Sequence, residues 1–254
     1  MLEEYIKNRV KEKKILLMTH IVLGYPNFED SFKIVEAMVN AGVDLMELQI
    51  PFSEPIADGP VILRANQKSL ANGTTVKECL DFAAKVTSQF DIPFLFMSYY
   101  NILFRYNVER FADAMVNAGI KGTIVPDIPP EEGTDYISAM NHRQLSPVFI
   151  FSPSTPEERM KYIAGQGSGF VYCVARKGVT GDSTDFSLTI DDYLSKCRSA
   201  TDLPLALGFG VKDKDDIDFL KGKVDIAVIG TQTIRLVEEK GVSAVGDFIS
   251  GLRT

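Results

Sequence analysis

NAGVDLMELQIPFSEPIADGP, residues 40–60, decides the fold. Its first glycine closes an amphipathic stretch, FEDSFKIVEAMVNAG (28–42), as a helix C-terminus prefers. A β-type run, DLMELQI (44–50), follows, and a Pro-rich loop leads away from it. The same junction returns as NAGIK at 117–121. Working outward, strand-like runs recur at 14–22, 93–99, 122–127, 147–152, 169–175, 204–210 and 225–230, eight in all with 44–50. Helical patterns lie between them at 75–90, 107–119, 156–167 and 213–222, and a last one at 242–252 closes the chain. Alternating βα units imply a parallel sheet. Eight of them in this length match a closed (β/α)8 TIM barrel better than an open doubly wound sheet. We expect one domain, residues 1–254, with an extra N-terminal helix over 2–12 and a short helix after strand eight.

Composition narrows the function. A net charge of −7 argues against a general nucleic-acid surface. Cys79, Cys173 and Cys197 are widely spaced and have only His20 and His142 to join them, which argues against a metal centre and for reduced thiols in a cytoplasmic protein. The N-terminus has no apolar core of a signal peptide, and no apolar run is long enough to span a membrane.

In a βα barrel the chemistry sits at the C-terminal ends of the strands. Alternation along strand two puts Met46, Leu48 and Ile50 toward the helices and Leu45, Glu47 and Gln49 toward the interior. A carboxylate there loses part of its water shell, which suits an acid–base group working near neutrality. The plain alternative is a structural Glu paired with a basic residue at the barrel top. Asp58, in a loop stiffened by prolines, reads equally as a held catalytic group or as a turn former before Gly59. Tyr172, if inward, would bring its hydroxyl near Glu47, although aromatic residues also simply fill barrels. Gly208 and Gly210 end strand seven. Gly230 and Thr231 end strand eight, where a following helix would aim its positive end at an anion. With Gly178 and Gly181 they suggest a phosphate cradle, and residues 178–186 suggest a lid. The residues alone therefore describe a barrel enzyme for a small phosphorylated substrate that uses carboxylate acid–base chemistry.

The motifs LMELQIPFSEPIADGPVI (45–62), MSYYN (97–101), VPDIPPEE (125–132), YCVARKGVTG (172–181), LGFGV (207–211) and VIGTQTI (228–234) together resemble the alpha subunit of tryptophan synthase. The resemblance covers nearly the whole chain. It implies a lyase that cleaves indole-3-glycerol phosphate to indole and glyceraldehyde 3-phosphate, with Glu47 and Asp58 as the catalytic acids. It places Tyr172 beside the glutamate, Gly181, Gly210, Gly230 and Thr231 around the phosphate, Thr180 in the lid and Phe209 near the substrate. It implies no cofactor in this subunit and a beta-subunit partner that carries pyridoxal phosphate and receives indole in an alpha-beta-beta-alpha complex. Glu54, Pro55, Asn101, Asp127 and Pro129 match positions at or near that contact.

The chain departs from the family pattern at four places. Gln49 stands for a small Gly, Glu54 for Asp, His20 for an aromatic residue and Thr231 for Ser. Gln49 is expected to hydrogen-bond Glu47 or a neighbouring loop. Two other readings are a partner-activating scaffold subunit with little catalysis of its own, and another phosphate-sugar barrel enzyme. The second is disfavoured because no strand carries an evident catalytic lysine.

Overall fold

The computed structural model describes residues 1–175, 185–208 and 210–253, with only the backbone described for 185–189. Among the described residues nine strand segments form one parallel sheet: β1 (Leu16–Val22), β2 (Leu45–Gln49), β3 (Phe94–Met97), β4 (Gly122–Ile124), β5 (Ser146–Val148), β6 (Ile150–Phe151), β7 (Val171–Val174), β8 (Leu205–Gly208) and β9 (Ile226–Ile229). The order β5-β4-β3-β2-β1-β9-β8-β7-β6 begins and ends on consecutive segments of one stretch of chain. β5 pairs with β4 and β6 with β7, and Phe149 between them accepts a hydrogen bond from the Tyr172 amide at 2.9 Å. β5 and β6 are thus one expected strand that changes neighbours at Phe149, and this seam closes the eight-station barrel. The strand expected over 122–127 stops at Ile124. Pro126 has no N–H to donate to a ladder, and Asp127 turns away to receive the Tyr100 amide.

The helices are α1 (Leu2–Lys13), α2 (Phe28–Asn40), α3 (Pro60–Ala71), α4 (Val76–Gln89), α5 (Tyr100–Tyr106), α6 (Val108–Asn117) and α7 (Thr134–His142). They continue with α8 (Glu157–Gln166), α9 (Asp185–Ala200), α10 (Lys214–Leu220), α11 (Thr231–Lys240) and α12 (Ser243–Gly251). Local chemistry sets several of their starts. Asn27, Asn107 and Asp213 accept from the third amide of their helices, Thr75 and Glu78 form a reciprocal capping box, and Pro60 opens α3 after Gly59.

Two apolar layers follow from strand alternation. Met46, Leu48 and Ile50 join the layer between sheet and helices, whereas Leu45 joins Leu16, Met18, Leu95, Met97, Ile124, Val148, Ala206, Ile226 and Val228 inside the barrel. Leu2 and Ile6 of α1 belong to the inner layer with Phe170, so α1 plugs the N-terminal end. That end is tied by Asp44, whose fully buried carboxylate accepts from the Leu17 amide at 2.9 Å and from Lys13 Nζ at 2.6 Å and pairs with Arg253. Arg253 also donates to the Ile15 and Gly42 carbonyls, at 3.1 and 3.0 Å. Moving toward the C-terminal ends of the strands, the interior turns from apolar to polar at His20, Glu47 and Gln49.

Candidate active site

Glu47 lies where alternation placed it, inside the barrel and 3% exposed. Strand pairing sets His20 of β1 directly opposite it, and His20 Nδ1 lies 2.7 Å from Glu47 Oε1. A carboxylate this dry is costly without a partner, and the imidazole supplies one. Burial works against the charged imidazole, but the adjacent Glu47 carboxylate, seconded by Asp58 and Gln49, more than offsets it, so the His20 pKa lies above its ordinary value.

Gln49, two residues along the same face, reaches the second acid. Its Nε2 donates to Asp58 Oδ2 at 2.6 Å and also approaches Asn66 Oδ1 of α3 at 3.5 Å. Asn66 Oδ1 accepts from the Phe52 amide at 2.9 Å, and the buried Tyr99 hydroxyl accepts from the Ala57 amide at 3.1 Å. The Phe52 and Tyr99 rings stack at 5.0 Å. The loop after β2 is therefore pinned at three points, and Asp58 is held over the mouth as well as turning the chain. Of the two partners expected for Gln49, the structure shows the loop. Burial raises the Asp58 pKa above the ordinary aspartate value, opposed by the Gln49 hydrogen bond and by the nearby His20 and Tyr99.

Tyr172 points into the barrel and is partly buried. Burial, and then the charges of Glu47 and Asp58, push its phenol well above the usual range. A side chain at Gly208 would put its first carbon 3.1 Å from the Tyr172 hydroxyl, so the ring would have to shift by a few tenths of an ångström to admit it. Across the mouth, Gly210 has φ +81°, a conformation glycine adopts without strain. Gly230 precedes α11 with no side chain capping its first amides, and Thr231 is the first residue of that helix. Uncapped amides at a helix start favour an anion. Thr180, Gly181 and Phe209 lie outside the described residues, as does the expected lid up to residue 184. Asp185 and Phe186 already belong to α9.

Of the residues expected at a partner contact, Glu54, Asn101, Asp127 and Pro129 are exposed and Pro55 is buried within the chain. The Asp127 carboxylate accepts from the Tyr100 amide at 2.9 and 3.1 Å and so caps α5. Near them along the chain are two large exposed apolar side chains not singled out in the sequence, Ile56 at 81% and Phe104 at 66% exposure. Asn66 was also missed, because nothing local marks a helix asparagine as a brace for a distant loop. Among the described residues no group of three or more His, Cys, Asp or Glu side chains converges as a metal site.

A family model described as tryptophan synthase alpha chain matches residues 6–247. The chain belongs to this family. A tryptophan synthase alpha chain of Syntrophotalea carbinolica is 62% identical over 253 residues, covering all of both chains. The solved tryptophan synthase subunit alpha of Legionella pneumophila superposes with a TM-score of 0.91 at 27% identity, over 99% of this chain and 96% of that one. A chain of the tryptophan synthase complex from Pyrococcus furiosus superposes with a TM-score of 0.86 at 25% identity, over 93% and 97%. As a tryptophan synthase alpha chain it is a lyase of tryptophan biosynthesis that cleaves indole-3-glycerol phosphate. No helix among the described residues is long and apolar enough to cross a membrane.

Proposed function

We propose that Glu47 and Asp58 share the acid–base work of this cleavage. The observation that carries the assignment is their convergence. One acid sits on the inner face of β2 and the other in its pinned loop, joined to that strand through Gln49. Indole C3 must gain a proton before the carbon–carbon bond breaks, and the glycerol hydroxyl must lose one as the aldehyde forms. Glu47 serves both transfers. An ionised Asp58 near the ring nitrogen stabilises the positive charge that develops there. Gly210, Gly230 and Thr231 at the ends of β8 and β9, with Gly181, hold the phosphate. Tyr172 lines the pocket beside Glu47, with Phe209 near the substrate, and Thr180 belongs to the lid.

This assignment has a pH consequence. Asp58 must be ionised, and the Gln49 hydrogen bond favours that form. In Gln49→Leu, which keeps the volume but removes the donor, Asp58 protonates at a higher pH. The acid limb of kcat/KM then moves upward from its wild-type position. A limb that stays in place or moves down removes Gln49 from the control of Asp58.

We read this subunit as cytoplasmic, free of any cofactor of its own, and docked on a beta subunit that carries pyridoxal phosphate, in an alpha-beta-beta-alpha complex. Exposed Ile56 and Phe104, flanked by Glu54, Asn101, Asp127 and Pro129, offer the apolar centre and polar rim of such a contact, and Pro55 shapes the loop beneath it. An assay of indole release from indole-3-glycerol phosphate, with and without beta subunit, tests the whole reading. Turnover is expected from the chain alone and faster turnover in the complex, with the stimulation weakened by at least ~10-fold in apparent affinity in Phe104→Asp, as for a buried interface anchor. No indole in either condition favours the scaffold reading.

A further inference from the structure

Two polar strand residues stand beside the acids, and each holds one of them. Gln49 bonds Asp58, and His20 bonds Glu47. The second pairing is the drier one, since His20 and Glu47 are each 3% exposed. His20 Nδ1 occupies Glu47 Oε1. Among the described residues, the buried Glu47 Oε2 has no hydrogen-bond partner. A buried carboxylate with one oxygen bound and the other unpaired has only that second oxygen to present to a substrate.

We propose that His20 is a positioning residue for the cleavage: it holds Glu47 by Oε1, leaves Oε2 as the reacting oxygen, and stores the proton that the pair lends to the substrate. The proposal rests on the reading of Glu47 as the proton-transfer group. The pair carries one proton, at rest on the imidazole. When substrate binds, that proton lies on Glu47 Oε2, with His20 neutral and its Nδ1–H still donating to Oε1. Oε2 then delivers it to indole C3, giving the ring-nitrogen cation. The glycerol hydroxyl then returns a proton to Glu47 as its O–H electrons form the aldehyde C=O. The C3–C1′ electrons form the C2=C3 bond of indole and neutralise the nitrogen. The pair ends with the proton it began with.

A lone carboxyl at this position would run the same step, but it would lose its proton at a lower pH than a carboxyl–imidazole pair. His20 therefore extends activity toward alkaline pH. The titratable groups facing it are Glu47 from β2, Asp58 from the following loop and, through their shared field, Tyr172 from β7. Gln49 of β2, Gly230 after β9 and Thr233 of α11 face it as neutral groups. Burial opposes the imidazolium, and Glu47 together with Asp58 and Gln49 outweighs it, consistent with a proton resting on His20.

The test compares wild type with His20→Phe, which removes donor and charge, and His20→Asn, which keeps a neutral donor near the Nδ1 position. The pH dependence of kcat and of KM is measured for each. In both variants the alkaline limb of kcat is expected to move down by about one pH unit or more, so turnover at about pH 8 falls roughly tenfold while KM changes little. His20→Asn should recover part of the loss below the limb, because it still orients Glu47. With two histidines in the chain, His20 and the exposed His142, imidazole nitrogen shifts in the 15N-labelled wild type resolve both. His20 should be doubly protonated at neutral pH. A neutral His20 at pH 7, or wild-type kcat and an unmoved alkaline limb in both variants, overturns the proposal. Glu47→Gln run alongside separates the two levels: if it is inactive while the His20 variants behave as wild type, only the role of His20 falls. If it is fully active, the Glu47 assignment falls and the proposal with it.

Discussion

Glu47→Gln folds as the parent does and releases indole about 10²- to 10⁴-fold more slowly, the usual range for loss of a positioned acid–base group. The amide keeps the side-chain volume in a site that is almost fully buried, so packing inside the barrel is preserved. It also keeps an oxygen for His20 Nδ1 to bond. It cannot take up the hydroxyl proton or supply one to C3. The imidazole loses its counter-charge and becomes neutral rather than remaining a buried lone cation, which keeps the stability loss modest. With the phosphate proposed to bind at the rim of β8 and β9, substrate binding is expected to change little, so the loss falls on kcat. Single-turnover indole release against a denaturation curve separates chemistry from folding. Turnover within tenfold of wild type would take Glu47 out of the mechanism.

Asp44→Ala has its effect at the other end of the barrel and on stability. The buried carboxylate gathers the Leu17 amide, Lys13 and Arg253, and so joins α1, β1, β2 and the C-terminal segment. Removing one member of a buried ionic cluster costs about 3–5 kcal/mol. Here the cationic partners keep 28% and 23% of their side-chain exposure and can regain some water, which places the loss near the lower bound. A loss of about 3 kcal/mol in a chain of this size corresponds to roughly 6–12 °C in Tm. Residual turnover at low temperature stays near wild type, because the acids sit at the opposite face. A Tm within about 2 °C of wild type would show that the cluster contributes little, since that shift corresponds to less than ~1 kcal/mol.

The two acids show how far a linear reading reaches. Glu47 is legible because the pleat repeats every two residues, so Leu45 on the inner face carries Glu47 and Gln49 with it. Asp58 was ambiguous for a matching reason. A turn aspartate and a held one have the same local sequence, and only the Gln49 bond and the bracing of its loop by Asn66 and Tyr99 show that this one is held. His20 stood out only as a departure from pattern. Its meaning came from lateral pairing between β1 and β2, which sets it opposite Glu47 across 27 residues of chain.

By itself the sequence determined the alternation of strands and helices, which side chains face the barrel interior, the glycine-rich ends of its late strands, and the family. These follow from backbone periodicity and local conformational preference, which act over a few residues. Only the tertiary structure decided that the fifth strand changes neighbours at Phe149, that Asp44 meets Arg253 from 209 residues away, and that the two acids are held by His20 and Gln49. Strand register and loop return are set by packing among distant segments, and local sequence carries no measure of those contacts.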